Sequence, residues 1–122
     1  MFFDTNYLRG DRADLRLEQA SEGAEAEYRF AVLLQDGTPA GSCSLRLGER
    51  AEGNLFFEIA PAFRGGGLAA EACRMMLELA RWHGAGTLRA VCPQENEAAR
   101  RVLLAAGGVP ERPDGRVFRF SL

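Results

Sequence analysis

The stretch FRGGGLAAEA, residues 63–72, places one arginine and three consecutive glycines directly before a run of helix-forming residues. Glycines let a backbone approach a ligand closely, and the unpaired amides and dipole at a helix start attract anions. The spacing is not that of a P-loop, and no acidic residue about 20 positions later supports a Rossmann site. From these residues alone, the run is either an anion-binding loop or a tight turn.

The pattern of apolar residues predicts strands before this loop and a helix after it. From Leu68 onward an apolar stripe opposes a charged stripe of Glu71, Arg74, Glu78 and Arg81, which predicts an amphipathic helix closed at Gly84. The predicted strands upstream are a short one at 13–18, a hairpin of 28–34 and 40–47 turning at Asp36-Gly37, and a buried run at 54–60 ending at Pro61.

The second half of the chain alternates strands and helices. The predicted order is a strand at 87–92, a helix capped by Asn96 and stopped at Gly107-Gly108, and a last hairpin turning at 113–115. Residues 21–27 are predicted to be an acidic connector. This order indicates one α/β layered domain over residues 1–122, with a mixed sheet.

Composition excludes several classes of function. The net charge of −2 argues against a nucleic-acid surface, and all fifteen basic residues are arginine, which excludes Schiff-base and P-loop lysine chemistry. No apolar stretch is long enough to span a membrane. The chain has an odd number of cysteines without CxxC spacing, namely Cys43, Cys73 and Cys92. We therefore expect no disulfide framework, no metal site and a reducing cytoplasm.

Three motifs in one order carry a resemblance to a known family. Arg64-Gly65-Gly66-Gly67-Leu68-Ala69 matches the Arg/Gln-x-x-Gly-x-Gly/Ala signature of the GNAT superfamily of N-acetyltransferases. Phe57-Glu58-Ile59-Ala60-Pro61 is similar to the family's preceding strand, and residues 96–103 resemble its N-x-x-S-x-R-V-L helix start. The chain most resembles the branch of ribosomal-protein acetyltransferases.

The resemblance implies a fold and an activity. The expected fold is a GNAT-like layered domain, with a mixed, mostly antiparallel sheet flanked by helices. The expected reaction transfers an acetyl group from acetyl-CoA to a primary amine by direct attack. The partners implied are acetyl-CoA and an amine acceptor, with no nucleic acid and no membrane.

The resemblance also implies where acetyl-CoA binds. Its pyrophosphate would lie on the loop amides, Arg64 would contact phosphate oxygens unless it is only a solvated surface arginine, and the pantetheine arm would run beside the strand end. Asn96 would cap its helix, bond the cofactor, or do both. The cofactor-binding residues expected on this basis are Ile59, Ala60, Pro61, Arg64, Gly65, Gly66, Gly67, Leu68, Ala69 and Asn96.

Two residues are candidates for proton transfer. Glu58 interrupts an apolar strand and is the candidate base, the alternative being an ion pair with an arginine. The family's tyrosine acid has no counterpart near the second helix, because the only tyrosines are Tyr7 and Tyr28. Cys92 is the candidate substitute donor, the alternative being a buried structural thiol.

Two departures from the family pattern bear on function. Ala99 stands where a serine is expected, and only about nine residues, 19–27, occupy the place of the two helices that form much of the acceptor pocket. The acceptor side is therefore expected to be open, or completed by another chain as in a homodimer. A catalytically silent acyl-CoA-binding module is the alternative.

Overall fold

The structure is a computed structural model, and it describes residues 6–21, 23, 25–48, 51–92, 96–113 and 116–122. Within these ranges the chain forms one sheet and two α-helices, with a short 3-10 turn at Pro61–Phe63. The elements are β1 (Tyr7–Arg9), β2 (Ala13–Ser21), β3 (Ala26–Leu34), β4 (Pro39–Leu47), β5 (Glu52–Ile59), α1 (Leu68–Trp82), β6 (Thr87–Val91), α2 (Glu97–Ala105), β7 (Val109–Pro110) and β8 (Val117–Ser121).

The eight strands lie in the order β1-β2-β3-β4-β5-β6-β8-β7. The β5–β6 pair is parallel, and the pairs on either side of it are antiparallel. A parallel pair needs a crossover connection, which α1 supplies. The expected fold class, a mixed and mostly antiparallel sheet flanked by helices, is confirmed.

The hydrophobic core lies between α1 and one face of the sheet. Phe30, Leu45, Leu55 and Phe118 point to this face from four strands and are almost fully buried. The predicted apolar stripe of α1 is confirmed, and it meets them with Leu68, Ala72, Met75, Met76, Leu79 and Ala80. Burial of such side chains contributes about 1.5–3 kcal/mol each, so the position of α1 on the sheet is strongly determined.

The N-terminal strands differ from their prediction. β2 extends to Ser21 and β3 begins at Ala26, so both ends of the predicted connector at 21–27 belong to strands. The strands continue because main-chain pairing, such as that of Ser21 with Glu27, requires no apolar side chains. The short strand β1 was not predicted, and of the last predicted turn Asp114 and Gly115 lie outside the described residues.

Glu71 also differs from its predicted place on an outward charged stripe. Its side chain is only 12% exposed because the turn between β1 and β2 covers it. The Asp11 N–H donates to Glu71 Oε1 at 2.8 Å, and the Arg74 guanidinium pairs with the same oxygen at 2.8 Å. A side chain at Gly10 would collide with this carboxylate. Glu71 therefore attaches the β1–β2 turn to the first turn of α1.

The attachment predicts a pH dependence of stability. Burial alone would raise the pKa of Glu71, but the Asp11 N–H and the Arg74 charge outweigh it and lower the pKa below its ordinary 4.5. Glu71 thus stabilises the fold above about pH 4.5, and this contribution is lost as the pH falls through the native pKa. Glu71→Gln should make the free energy of unfolding less dependent on pH in this acid range, as measured by denaturant titration at several pH values.

Glu78→Gln is the matched control, because Glu78 pairs with the same arginine but its side chain is 34% exposed. Equal acid slopes for Glu71→Gln and the wild type would contradict the role of Glu71.

Candidate active site

Strands β5 and β6 separate at one end of the sheet and leave a cleft. Their parallel pairing ends at Leu55 and Ala90, whereas β5 continues to Ile59. β4 holds the other edge of β5 through Gly41 opposite Ile59. Among the described residues, β5 from position 56 to 59 therefore has no strand partner on its β6 side.

The backbone of Ile59 points into this cleft. The Ala60 N–H donates to the Ala40 carbonyl of β4 at 2.8 Å, and successive peptide groups of a strand alternate in direction, so the Ile59 N–H faces the opposite side. The Ile59 carbonyl lies on that side too and accepts a hydrogen bond from Arg64 Nε at 2.9 Å. The Ile59 N–H is thus a backbone hydrogen-bond donor that faces the cleft at the end of β5.

The glycine loop forms the second wall of the cleft. Gly65 and Gly67 have φ angles of 88° and 82°, a left-handed conformation that other residues adopt only with strain. A methyl group at Gly65 or Gly66 would meet no atom within 4 Å, so the loop is open to approach. The first hydrogen bond of α1 runs from the Glu71 N–H to the Gly67 carbonyl at 3.1 Å. The amides of residues 68–70 precede this bond and have no helical acceptor.

The start of α2 forms the third wall. Asn96 Oδ1 accepts a hydrogen bond from the Ala99 N–H at 3.0 Å, which confirms that Asn96 is the N-cap. The cap uses only the oxygen of the side chain. Asn96 lines the cavity, and its amide nitrogen, which takes no part in the cap, is a hydrogen-bond donor.

These walls enclose a single cavity of about 1110 Å³, a volume that suits a cofactor-sized ligand. Of the residues expected at the site, the cavity is lined by Glu58, Ile59, Arg64, Gly65, Gly67, Leu68, Ala69 and Asn96. Ala60, Pro61, Gly66 and Cys92 are not part of the lining. The structure thus brings together most of the expected residues, although they are spread over 39 positions from Glu58 to Asn96.

Glu58 lies at the mouth of the cavity with an exposed side chain, opposite Ser42 of β4. It shares the outer face of the sheet with Phe56, whose side chain is 60% exposed. The alternative of an ion pair with arginine is not observed, because the described part of the chain offers the Glu58 carboxylate no ion pair or hydrogen bond. The carboxylate is therefore exposed at the cavity without a partner among the described residues.

Cys92 lies in a different environment from Glu58. It is 3% exposed, and its thiol donates to the Asn96 carbonyl at 3.4 Å. This contact links β6 to the start of α2 and supports the structural alternative for Cys92. Neither tyrosine lines the cavity: Tyr28 is buried and stacks on His83 at 5.0 Å, and the Tyr7 hydroxyl donates to Asp14 at 3.0 Å.

Two arginines on the outer face line the cavity without having been expected there. Arg29 and Arg46 both pair with the Glu27 carboxylate, at 2.8 and 2.9 Å, and their hydrogen bonds lower the pKa of Glu27. The sequence pattern marks these residues only as alternating polar positions of strands. Their proximity to the cavity depends on the register of β3, β4 and β5, which no local signal reveals.

Arg12 is a further residue for which the sequence has no local signal. Its Nη1 donates to the Gly66 carbonyl at 3.2 Å, across a separation of 54 positions.

Within the described ranges, no group of three metal-ligating side chains is present, and no helix is long and apolar enough to cross a bilayer.

Comparison with known proteins agrees with this geometry. The family described as Acetyltransferase (GNAT) domain matches residues 4–109, and the chain therefore belongs to the GNAT acetyltransferase family. A search of curated proteins finds no match.

Several solved structures share the fold. A Vibrio cholerae protein provisionally named a ribosomal-protein-serine acetyltransferase superposes with a TM-score of 0.76 at 17% identity, over 95% of this chain and 97% of the other. The ribosomal-protein-S5-alanine acetyltransferase of Vibrio fischeri has a TM-score of 0.69 at 16% identity, over 78% and 61% of the two chains. Mycobacterium smegmatis RimJ, in complex with CoA-disulfide, has a TM-score of 0.67 at 21% identity, over 78% and 53%.

Family membership settles the class of reaction. The protein is an acetyl-CoA-dependent N-acetyltransferase, and acetyl-CoA is its co-substrate. The alternative of a catalytically silent binding module is not favoured.

The glycine loop predicts that a negative charge at Ala70 will separate cofactor binding from stability. Ala70 is exposed, lines the cavity and occupies the first turn of α1, where a carboxylate interacts favourably with the helix dipole. Ala70→Glu should leave the melting temperature unchanged or slightly higher, and should weaken acetyl-CoA binding about tenfold or more by repelling phosphate. Calorimetric titration with acetyl-CoA measures the effect.

Ala105→Glu is the control, because it adds the same charge to an exposed helix position outside the cavity lining. Unchanged affinity in Ala70→Glu would place the phosphates away from the start of α1.

Asn96 allows its two roles to be separated by one substitution. Aspartate caps a helix about as well as asparagine but lacks the amide nitrogen. If that nitrogen binds the cofactor, Asn96→Asp should keep the melting temperature within a few degrees while reducing acetyl-CoA affinity. Asn96→Ala should lower both, with about 1 kcal/mol lost from the free energy of unfolding. Equal affinity of Asn96→Asp and the wild type would restrict Asn96 to capping.

Proposed function

We propose that the cleft between β5 and β6 binds acetyl-CoA and presents its acetyl group to a primary amine beside Glu58. The observation that carries the proposal is the convergence of three features on one cavity: the open backbone edge at Ile59, the glycine loop before α1, and the Glu58 carboxylate, which has no ion pair among the described residues. The separate features occur in many folds, but their combination meets the requirements of direct acyl transfer.

The residues present fit the chemical groups of the cofactor. The open loop at Gly65 and Gly66 and the amides of residues 68–70 suit a pyrophosphate. The edge of β5 suits the amides of a pantetheine arm, as an extended ligand adds to an exposed strand. Ala60 and Pro61 remain proposed neighbours of this arm, although Ile59 is the residue that lines the cavity.

Ile59 is proposed to stabilise the reaction through its backbone. When bound, acetyl-CoA supplies an activated acetyl group whose carbonyl carbon is open to attack. The Ile59 N–H faces the cleft and is suited to donate to the oxygen on which negative charge develops. Arg64 holds the carbonyl of the same residue through Nε, which leaves its two terminal nitrogens for phosphate oxygens.

Glu58 is proposed to act as the general base. An amine acceptor is protonated at neutral pH and must lose a proton before it can attack. The Glu58 carboxylate is exposed at the cavity and is not neutralised by a described arginine, so it can take this proton directly or through a water molecule.

The leaving thiolate is proposed to depart without a dedicated acid. No tyrosine lines the cavity, and Cys92, the other candidate donor, is buried and bonded to the Asn96 carbonyl. An ordinary thiol has a pKa of about 8.5, so a thiolate leaves at modest cost near neutral pH.

The acceptor is proposed to be an amine carried by a peptide or protein. Among the described residues no helix lies between β2 and β3, so the outer face of the sheet beside Glu58 is uncovered. An uncovered face admits a large acceptor more readily than it encloses a small one. Two of the similar structures carry names of ribosomal-protein acetyltransferases, which agrees with this class of acceptor.

The remaining expectations concern the state of the protein in the cell. We propose a single domain over residues 1–122 that works in the cytoplasm, where the three buried cysteines remain reduced thiols. A homodimer is proposed as the arrangement that would complete the acceptor side. Light scattering coupled to size-exclusion chromatography tests the dimer directly.

The proposed base is tested by Glu58→Gln on an acceptor selected from a panel of peptides and small amines, with release of free thiol as the signal. Loss of the base should slow turnover by about a hundredfold at neutral pH, while acetyl-CoA affinity stays unchanged because backbone amides provide it. Raising the pH should restore part of the rate, since more of the amine is then neutral without help.

Glu18→Gln is the matched control, because Glu18 also lines the cavity but is already paired with Arg16 at 3.1 Å. Full turnover by Glu58→Gln would assign the base to another group or to water. Binding of acetyl-CoA without acetylation of any acceptor in a broad panel would instead favour the silent module.

A further inference from the structure

Arg12 contacts the glycine loop and is not among the residues that line the cavity. It lies in the turn between β1 and β2, and its Nη1 donates to the Gly66 carbonyl at 3.2 Å. The same nitrogen lies 2.9 Å from the point where a Cβ of Gly67 would stand. This guanidinium is therefore in contact with the loop proposed to hold the pyrophosphate.

The backbone that carries Arg12 is held in place from two directions. The Asp11 N–H donates to Glu71 Oε1 of α1 at 2.8 Å, and the Asp11 carbonyl accepts from Gln35 Nε2 at 2.6 Å. Gly10 packs so closely against Glu71 that a side chain there would collide with it. The turn is thus fixed relative to the start of α1, which limits the positions that the Arg12 side chain can reach.

The contact with Gly66 determines the direction of the next amide. In a trans peptide the carbonyl of one residue and the N–H of the following residue point in opposite directions. Because the Gly66 carbonyl points to Arg12, the Gly67 N–H points away from it. Gly67, unlike Gly66, lines the cavity, which is consistent with a Gly67 N–H directed to the cavity side.

A peptide group between two glycines needs such support. Glycine populates positive and negative φ angles about equally, so the Gly66–Gly67 peptide can rotate at little cost. The rotated peptide would present a carbonyl oxygen to the cavity, where it would repel a phosphate. A hydrogen bond from a charged donor to the Gly66 carbonyl opposes this rotation.

We propose that Arg12 is a positioning residue for cofactor binding, which orients the Gly67 N–H toward the pyrophosphate through its hydrogen bond to the Gly66 carbonyl. The proposal rests on the proposed binding of acetyl-CoA at this loop. It concerns the pyrophosphate alone, because the contact lies at the loop and not at the end of β5 where the thioester is placed.

Two acyl donors separate this role from a general loss of structure. Acetyl-CoA carries the pyrophosphate, whereas S-acetyl-pantetheine has the same thioester and arm without it. Arg12→Met, which lacks the donor, should raise the KM for acetyl-CoA about tenfold and leave kcat nearly unchanged. The kinetic constants for S-acetyl-pantetheine should not change. Arg12→Lys, which restores a donor and a charge, should recover most of the affinity.

Arg81→Met is the matched control, since it removes an exposed arginine from the far end of α1 and should change neither donor's kinetics. A nitrogen-15 spectrum supplies an independent measurement: the Gly67 amide signal should shift when coenzyme A is added to the wild type, and shift less in Arg12→Met.

The outcomes are distinguishable. An unchanged KM for acetyl-CoA in a folded Arg12→Met protein would overturn the proposal, as would an equal loss with both donors, which would assign Arg12 to general stability. If Arg12→Met does not fold, Arg12→Lys provides the test. Loss, in Arg12→Lys, of the change that coenzyme A causes in the Gly67 amide signal would then overturn the proposal. A wild-type protein that binds no coenzyme A would overturn the proposed function itself.

Discussion

The separation of β5 from β6 beyond Leu55 is the constraint on which the site depends. β5 must continue as an extended strand for four residues with a neighbouring strand, among the described residues, on one edge only. β4 provides that neighbour up to Gly41, where the absence of a side chain lets the two backbones approach: a Cβ at this position would collide with the Glu58 carbonyl. The pairing with β4, on the edge of β5 opposite the cleft, therefore holds the cleft-facing edge in an extended conformation.

The packing of α1 places the second half of the site. The buried apolar stripe of α1 determines where the helix crosses the sheet. The first turn of α1 therefore lies at the end of the cleft. Glycine at positions 65 and 67 then lets the chain turn from the strand end into the helix with φ angles that other residues avoid. The start of α1 and the edge of β5 are consequently parts of one cavity.

The charges around this cavity are divided between structural pairs and available groups. Glu27 is shared by Arg29 and Arg46, and Glu71 is held by Arg74 and the Asp11 N–H. These pairs neutralise the two carboxylates, whose side chains are only 26% and 12% exposed. Glu58 is left without such a partner among the described residues, and this is the basis on which it is proposed as the general base.

The sequence by itself determined the features that depend on neighbours a few positions apart. The amphipathic stripe of α1, the Asn96 cap and the glycine loop all arise from local periodicity or from a side chain bonded to a nearby amide. Together with family motifs they predicted the fold class and eight of the residues that line the cavity. The tertiary structure decided the rest: the extension of β2, the covering of Glu71, the direction of the Ile59 amide and the contact of Arg12 with Gly66. These four features depend on strand register and on packing between distant segments. Sequence patterns do not reveal them, because main-chain pairing is largely independent of the pattern of side chains.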